Sequence, residues 1–224
     1  MADFPFTMVG FDLDGTLVDS NPDLGPSINH ALAQLGREAI PTDQTRSLIG
    51  GGARMMLQRA MELTGGLVSD AEFEQAWQTQ QDYYFENIAV HTAPYEGCLE
   101  TLDRLAELGC TLAVVTNKKE SFARKLLEAL GMTSRFAAIL GGDTLGLERS
   151  KPEPDMIHEA VQRCGRAGRF AMVGDSSYDV RAARAAGVPC AIFSFGYNDA
   201  PAHELGADVV LDHFDELVPA LERL

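Results

Sequence analysis

Short apolar runs, rich in Val, Ile and Phe, recur at Thr7–Phe11, Thr111–Val115, Ala137–Leu140, Arg169–Val173, Cys190–Phe193 and Asp208–Leu211. They read as strands buried on both faces. From Cys98 onward they alternate with segments whose apolar residues recur at helical spacing: Leu99, Leu102, Leu105 and Ala106; Phe122, Leu126, Leu127 and Leu130; Ile157, Ala160 and Val161; Val180, Ala183 and Ala186. Gly109, Gly131, Gly165 and Gly187 follow these four helices closely, where a C-terminal cap needs a residue tolerant of positive φ. Such alternation predicts a parallel sheet covered by helices on both faces.

The stretch from Asp19 to Pro94 breaks that rhythm. It shows only helical spacing, as in Leu24, Ile28, Ala31, Leu32 and Leu35, and later Phe73, Ala76, Trp77 and Tyr84. The predicted architecture is therefore α/β: a Rossmann-like parallel-sheet core formed by residues 1–18 and 95–224, with a small helical cap domain, residues 19–94, inserted after the first strand. Met55, Met56, Met61, Trp77, Tyr83 and Tyr84 form stripes that read as core of the insert rather than as a ligand surface.

Composition narrows the partners. With 46% hydrophobic and 23% charged residues in 224, the chain is expected to be globular, and no segment is apolar for long enough to span a bilayer. A net charge of -15 argues against nucleic acid or anionic membrane as a partner, since both demand basic surface. A small phosphorylated metabolite stays compatible if a metal and a few placed cations reverse the local field. Cys98, Cys110, Cys164 and Cys190 lie far apart with no zinc or redox spacing, and read as reduced and buried. The start, Met1 to Phe6, lacks the pattern of a secretory signal, which predicts a cytoplasmic address. Monomer and homodimer are not distinguished.

The candidate chemistry lies where strands end. Asp12 and Asp14, in Phe11-Asp12-Leu13-Asp14-Gly15-Thr16, emerge from the first strand, and in open parallel sheets ligands bind beyond the carboxyl ends of strands. Two such acids repel unless a cation or shared proton intervenes, and hard oxygen ligands suit magnesium; the alternative is a turn with solvated acids. A calcium loop fits poorly, because Thr16 and Leu17 occupy the places where that motif needs an oxygen ligand and a glycine. Three more signals follow predicted strands. Thr116-Asn117-Lys118 offers a hydroxyl, an amide and an ammonium able to donate to phosphoryl oxygens. Lys151 precedes a helix begun by proline, and Gly174-Asp175-Ser176-Ser177-Tyr178-Asp179 supplies two further acids.

This ordered set, DLDGT, then Thr-Asn after a strand, then Lys-Pro, then GDSxxD, resembles the haloacid dehalogenase-like hydrolase superfamily across the whole chain. Leu48 to Arg54, Phe195-Gly196-Tyr197-Asn198 and Gly206-Ala207-Asp208 resemble its phosphoglycolate phosphatase branch. The resemblance implies that Asp12 is the nucleophile, forming an aspartyl-phosphate, and that Asp14 is the acid and base. It implies that Thr116 and Asn117 bind phosphoryl oxygens and that Lys151 bridges Asp12 and the phosphoryl group. It also implies a Mg2+ held by Asp12, Asp175 and the Asp14 backbone carbonyl. Asp179 either joins the metal site, directly or through water, or is a helix-surface acid. Gly15, Thr16 and Lys118 are further candidates for substrate contact.

By the same resemblance the insert is a cap that recognises the rest of the substrate. Gly51 and Gly52 permit close backbone approach, and Arg54 offers a fork to a carboxylate; alternatively, the glycines only turn the chain and Arg54 is solvated. The implied activity is hydrolysis of 2-phosphoglycolate. A phosphatase of another sugar phosphate, a phosphomutase, and a non-enzymatic phospho-aspartate receiver module are the alternatives. An Asp at position 14 disfavours a dehalogenase, whose halide leaving group needs no acid.

Overall fold

The computed structural model describes residues 4–224, so the signal-peptide reading of Met1 to Asp3 lies outside the described residues. The chain forms two compact units, one built from the residues up to Asp19 together with Pro94–Leu224, the other from Ser20–Ala93.

The first unit is built on a six-stranded sheet. Its strands are β1 (Met8–Phe11), β2 (Thr111–Val115), β3 (Ala138–Leu140), β4 (Phe170–Gly174), β5 (Cys190–Phe193) and β6 (Val209–Leu211). All neighbours are parallel, in the order β3-β2-β1-β4-β5-β6. Met8, Ala113, Val115, Phe170, Met172 and Ile192 share a buried cluster with Met156, Ile157, Ala160, Val180 and Ala183. That cluster is one face of the sheet packed on two helices, and the two-residue repeat of the strands produces it. Gly10 lies in the middle of β1 because the Phe170 ring crosses it: a Cβ there would sit 2.4 Å from Phe170 Cζ.

The sheet is α/β and Rossmann-like, as the apolar runs predict, with differences of one residue at several ends. β4 runs to Gly174 rather than starting at Arg169. Four of the helices alternating with the strands, Cys98–Glu107, Glu120–Ala129, Asp155–Cys164 and Ser177–Ala186, end at Gly109, Gly131, Gly165 and Gly187, all with positive φ. The four cysteines are buried and unpaired.

In the second unit the main helices are α1 (Asn21–Gln34), α2 (Thr42–Thr45), α3 (Ala53–Leu63) and α4 (Asp70–Glu86). Asp23, in the first turn of α1, is buried and accepts from the amides of His91 and Thr92 and from the Thr92 hydroxyl, so its charge is satisfied where the chain leaves the unit. Met56, Met61 and Tyr84 are core. Met55 is not: it is exposed, because adjacent helical residues point about 100° apart and Met56 takes the inward direction. Trp77 and Tyr83 are half-buried. Among the described residues no helix is long and apolar enough to cross a membrane.

Candidate active site

β1 lies between β2 and β4, so the residues that follow these three strands, Asp12, Thr116 and Asp175, come out side by side. Lys151 enters from the loop before the helix Asp155–Cys164. Its ammonium is almost fully buried, 3.0 Å from Asp12 Oδ1 and 2.6 Å from Asp179 Oδ1. Burial alone would lower its pKa; the charges of Asp12 and Asp179 outweigh that and raise it. Lys151 is therefore a fixed cation. Burial, reinforced by Asp179, lifts Asp12 from 3.8 to about 6 against the pull of Lys151 and the Thr116 hydroxyl. Asp175 is raised as well, by burial and then by Asp179 and Asp12.

Asp179 is fully buried and so is not a helix-surface acid. Its Oδ1 takes Lys151, and its Oδ2 accepts from Ser176 Oγ at 2.7 Å and from the amides of Ser176 and Asp175 at 3.1 and 3.2 Å. The bond from the Ser176 amide to Asp179, with the Asp179 amide bonding the Ser176 side chain in return, forms a capping box at the start of the helix Ser177–Ala186. Gly174 makes room for it, since a Cβ there would lie 2.2 Å from Asp179 Cγ.

One carboxylate oxygen from each of Asp12, Asp175 and Asp179 lies within 4.8 Å of the others. With Asp14 included, the cluster sets four acids against the two ammonium groups of Lys118 and Lys151. Three largely buried carboxylates grouped this closely offer hard oxygen donors, so the residues fit magnesium. Asp179 already accepts four donors, which leaves Asp12 and Asp175 as the carboxylates best placed to hold it.

Several expected contacts fall elsewhere. Thr16 is fully buried and donates to Asp175 Oδ1 at 3.1 Å, supporting a carboxylate rather than facing substrate. Gly15, at φ +84°, makes the turn beside Asp175 and Tyr197, where a Cβ would collide with both. Asn117 Nδ2 donates to the Lys151 carbonyl at 2.9 Å, tying two loops together. Lys118 Nζ bonds both oxygens of Asp14, at 2.8 and 2.6 Å.

In the helical unit Gly51 and Gly52 turn the chain at φ +72° and +92°, and Gly52 starts α3. Arg54 does not present an open fork: both terminal nitrogens bond the Glu74 carboxylate, and the guanidinium lies 5.0 Å from the centres of the Phe73 and Trp77 rings. Sequence reading missed the bonds made by Tyr197 and Asn198 to Asp175. The segment Phe195-Gly196-Tyr197-Asn198 stands out in the sequence through its resemblance and through Gly196 just beyond a strand, but neither names Asp175 as its partner.

The family described as haloacid dehalogenase-like hydrolase matches residues 9–193. The chain is 43% identical over 212 residues to the phosphoglycolate phosphatase of Agrobacterium fabrum, covering 94% of this chain and 90% of that protein. It is 40% identical over 219 residues to that of Mesorhizobium japonicum, covering 97% and 96%. A solved structure of a predicted phosphoglycolate phosphatase from Haemophilus somnus superposes with a TM-score of 0.89 at 33% identity, covering 96% of this chain and 97% of that one. These matches span nearly the whole fold, including the strand ends where the acids gather: the chain belongs to the haloacid dehalogenase-like hydrolases, and it is a phosphoric monoester hydrolase.

Proposed function

We propose that this enzyme hydrolyses 2-phosphoglycolate to glycolate and phosphate, with Mg2+, through a phosphoryl group carried on Asp12. The observation that carries the mechanism is Lys151 fixed against Asp12 at the carboxyl end of the sheet. The substrate rests on the relatives of this chain that bear the name phosphoglycolate phosphatase.

In this reading an Asp12 oxygen forms the new bond to phosphorus while the ester P–O bond breaks. Asp12 needs no separate base, since a carboxylate is already a nucleophile when ionised. Asp14 is the acid that gives a proton to the departing alkoxide. It then takes one from the water that attacks the aspartyl-phosphate, and that attack releases phosphate and restores Asp12. Lys151 and the Thr116 hydroxyl stay aimed at the place where charge builds on the phosphoryl oxygens. Magnesium held by Asp12, Asp175 and the Asp14 carbonyl would supply the positive charge that lets a phosphate dianion enter a cluster of acids. Asp179 fixes Lys151 and the helix start. The Ser20–Ala93 unit supplies the recognition of the non-phosphate part of the substrate. A cytoplasmic address accords with four unpaired thiols.

Steady-state kinetics on a panel of phosphate monoesters, with Mg2+ and after chelation, tests the assignment. 2-Phosphoglycolate is expected to give the highest kcat/KM, and chelation to abolish turnover. A ranking no better than that of sugar phosphates lacking a carboxylate would remove the substrate assignment, and full activity after chelation would remove the metal.

A further inference from the structure

The segment Phe195-Gly196-Tyr197-Asn198-Asp199 plays no part in the chemistry above, yet its residues converge on the strand end that carries Asp175. The Tyr197 amide donates to Asp175 Oδ2 at 2.5 Å. Asn198 Nδ2 donates to the main-chain carbonyl of Asp175 at 2.5 Å and to that of Phe193 at 3.0 Å, lacing the ends of β4 and β5 together. The Asp199 carboxylate accepts from the Ser177 amide at 2.8 Å and the Ser177 hydroxyl at 2.6 Å, on the first turn of the next helix. Only glycine lets the loop pass this close, because a Cβ at position 196 would lie 2.2 Å from Asp175 Cβ. The base of the loop is fixed by the Phe195 ring, 4.7 Å from Phe193 and 4.5 Å from Tyr95.

The consequence for Asp175 is a carboxylate held by one donor on each oxygen, Thr16 on Oδ1 and Tyr197 on Oδ2. A carboxylate offers about four lone-pair positions, so this fixes its rotation and leaves acceptor capacity for a cation. We infer that residues 195–199 form the positioning loop of Asp175, and that Asn198 sets the cation affinity of the site without touching the cation. The inference rests on the metal reading given above. Its physical basis is that partners behind a metal ligand orient it and tune its strength. Asn198 acts at one remove, by fixing the main chain from which Asp175 projects.

The test is calorimetric titration of Mg2+ into metal-free protein, with urea unfolding in the absence of metal as a check on the fold. Asn198→Ala is expected to bind Mg2+ about 10- to 100-fold more weakly. Ser194→Ala, whose hydroxyl bonds Asp212 and not Asp175, is expected to match the wild type. Wild-type affinity in a folded Asn198→Ala overturns the inference while leaving the metal reading intact. If Asn198→Ala does not fold, Asp199→Ala decides in its place: weakened Mg2+ binding supports the loop's role, and wild-type binding overturns it. No Mg2+ binding by the wild type removes the metal reading and this inference with it.

Discussion

The ammonium of Lys118 rests on both carboxylate oxygens of Asp14, and both side chains are largely buried. The proposed mechanism needs Asp14 as a proton donor, and an incoming phosphoryl group competes for the same ammonium. Lys118→Met removes a charge-assisted donor from that competition. A loss of about 10- to 100-fold in kcat/KM is expected, with weaker inhibition by inorganic phosphate. Unchanged KM and phosphate inhibition would take Lys118 out of substrate binding.

Lys151 separates two buried acids. Lys151→Ala leaves Asp12 and Asp179 facing each other without a cation, a defect worth about 3–5 kcal/mol in buried pairs. Urea unfolding at pH 7 measures it, and lowering the pH restores part of the loss as the acids take up protons. A variant as stable as the wild type at pH 7 contradicts the role given to this ion pair.

Asp12 itself is a stability cost in the metal-free protein. Its pKa rises from 3.8 to about 6 on folding, chiefly through burial. Below pH 3.8 both states hold the proton; between pH 3.8 and about 6 the unfolded chain releases it first, so stability falls as pH rises. At pH 7 the cost is on the order of 3 kcal/mol. Asp12→Asn should therefore raise the urea midpoint at pH 7, with a gain that shrinks toward pH 4, while Lys151 keeps Asp179 as its partner. A gain independent of pH, or a loss at pH 7, contradicts this account.

The buried thiols give a second pH dependence of the same sign. Burial pushes Cys98 from 9.0 up to about 12 and Cys110 up to about 11. Above pH 9 the unfolded chain ionises first, so stability falls as pH rises. Cys98→Ala should flatten the slope of the urea midpoint between pH 8 and pH 10, and an unaltered slope would count against the assignment.

Much of the fold was legible because its signals are local. A buried parallel strand needs only a short apolar run, and Gly165 and Gly187 mark helix ends through backbone freedom alone. The strand-end acids were legible for a related reason: β2, β1 and β4 are neighbours, so Thr116, Asp12 and Asp175 meet wherever such a sheet forms. Partner choice between loops was not legible. Arg54 bonds Glu74, twenty residues away, and Asn198 bonds a carbonyl twenty-three residues away. Neither pairing leaves a periodic trace, because periodicity reports which face a residue occupies and not which loop lies opposite. Asp179 reads equally as a surface acid until Gly174 is seen to admit it to the interior.

In the proposed reaction the phosphoryl group passes through Asp12. Mixing enzyme, Mg2+ and 2-phosphoglycolate, quenching in acid during turnover and mapping the peptides by mass spectrometry tests it directly. A phosphoryl group is expected on the peptide carrying Asp12, at the Asp12 side chain, and none in Asp12→Asn, which should be folded and inactive. Turnover without a phosphorylated peptide, phosphorylation at another residue, or retained activity in Asp12→Asn would contradict it.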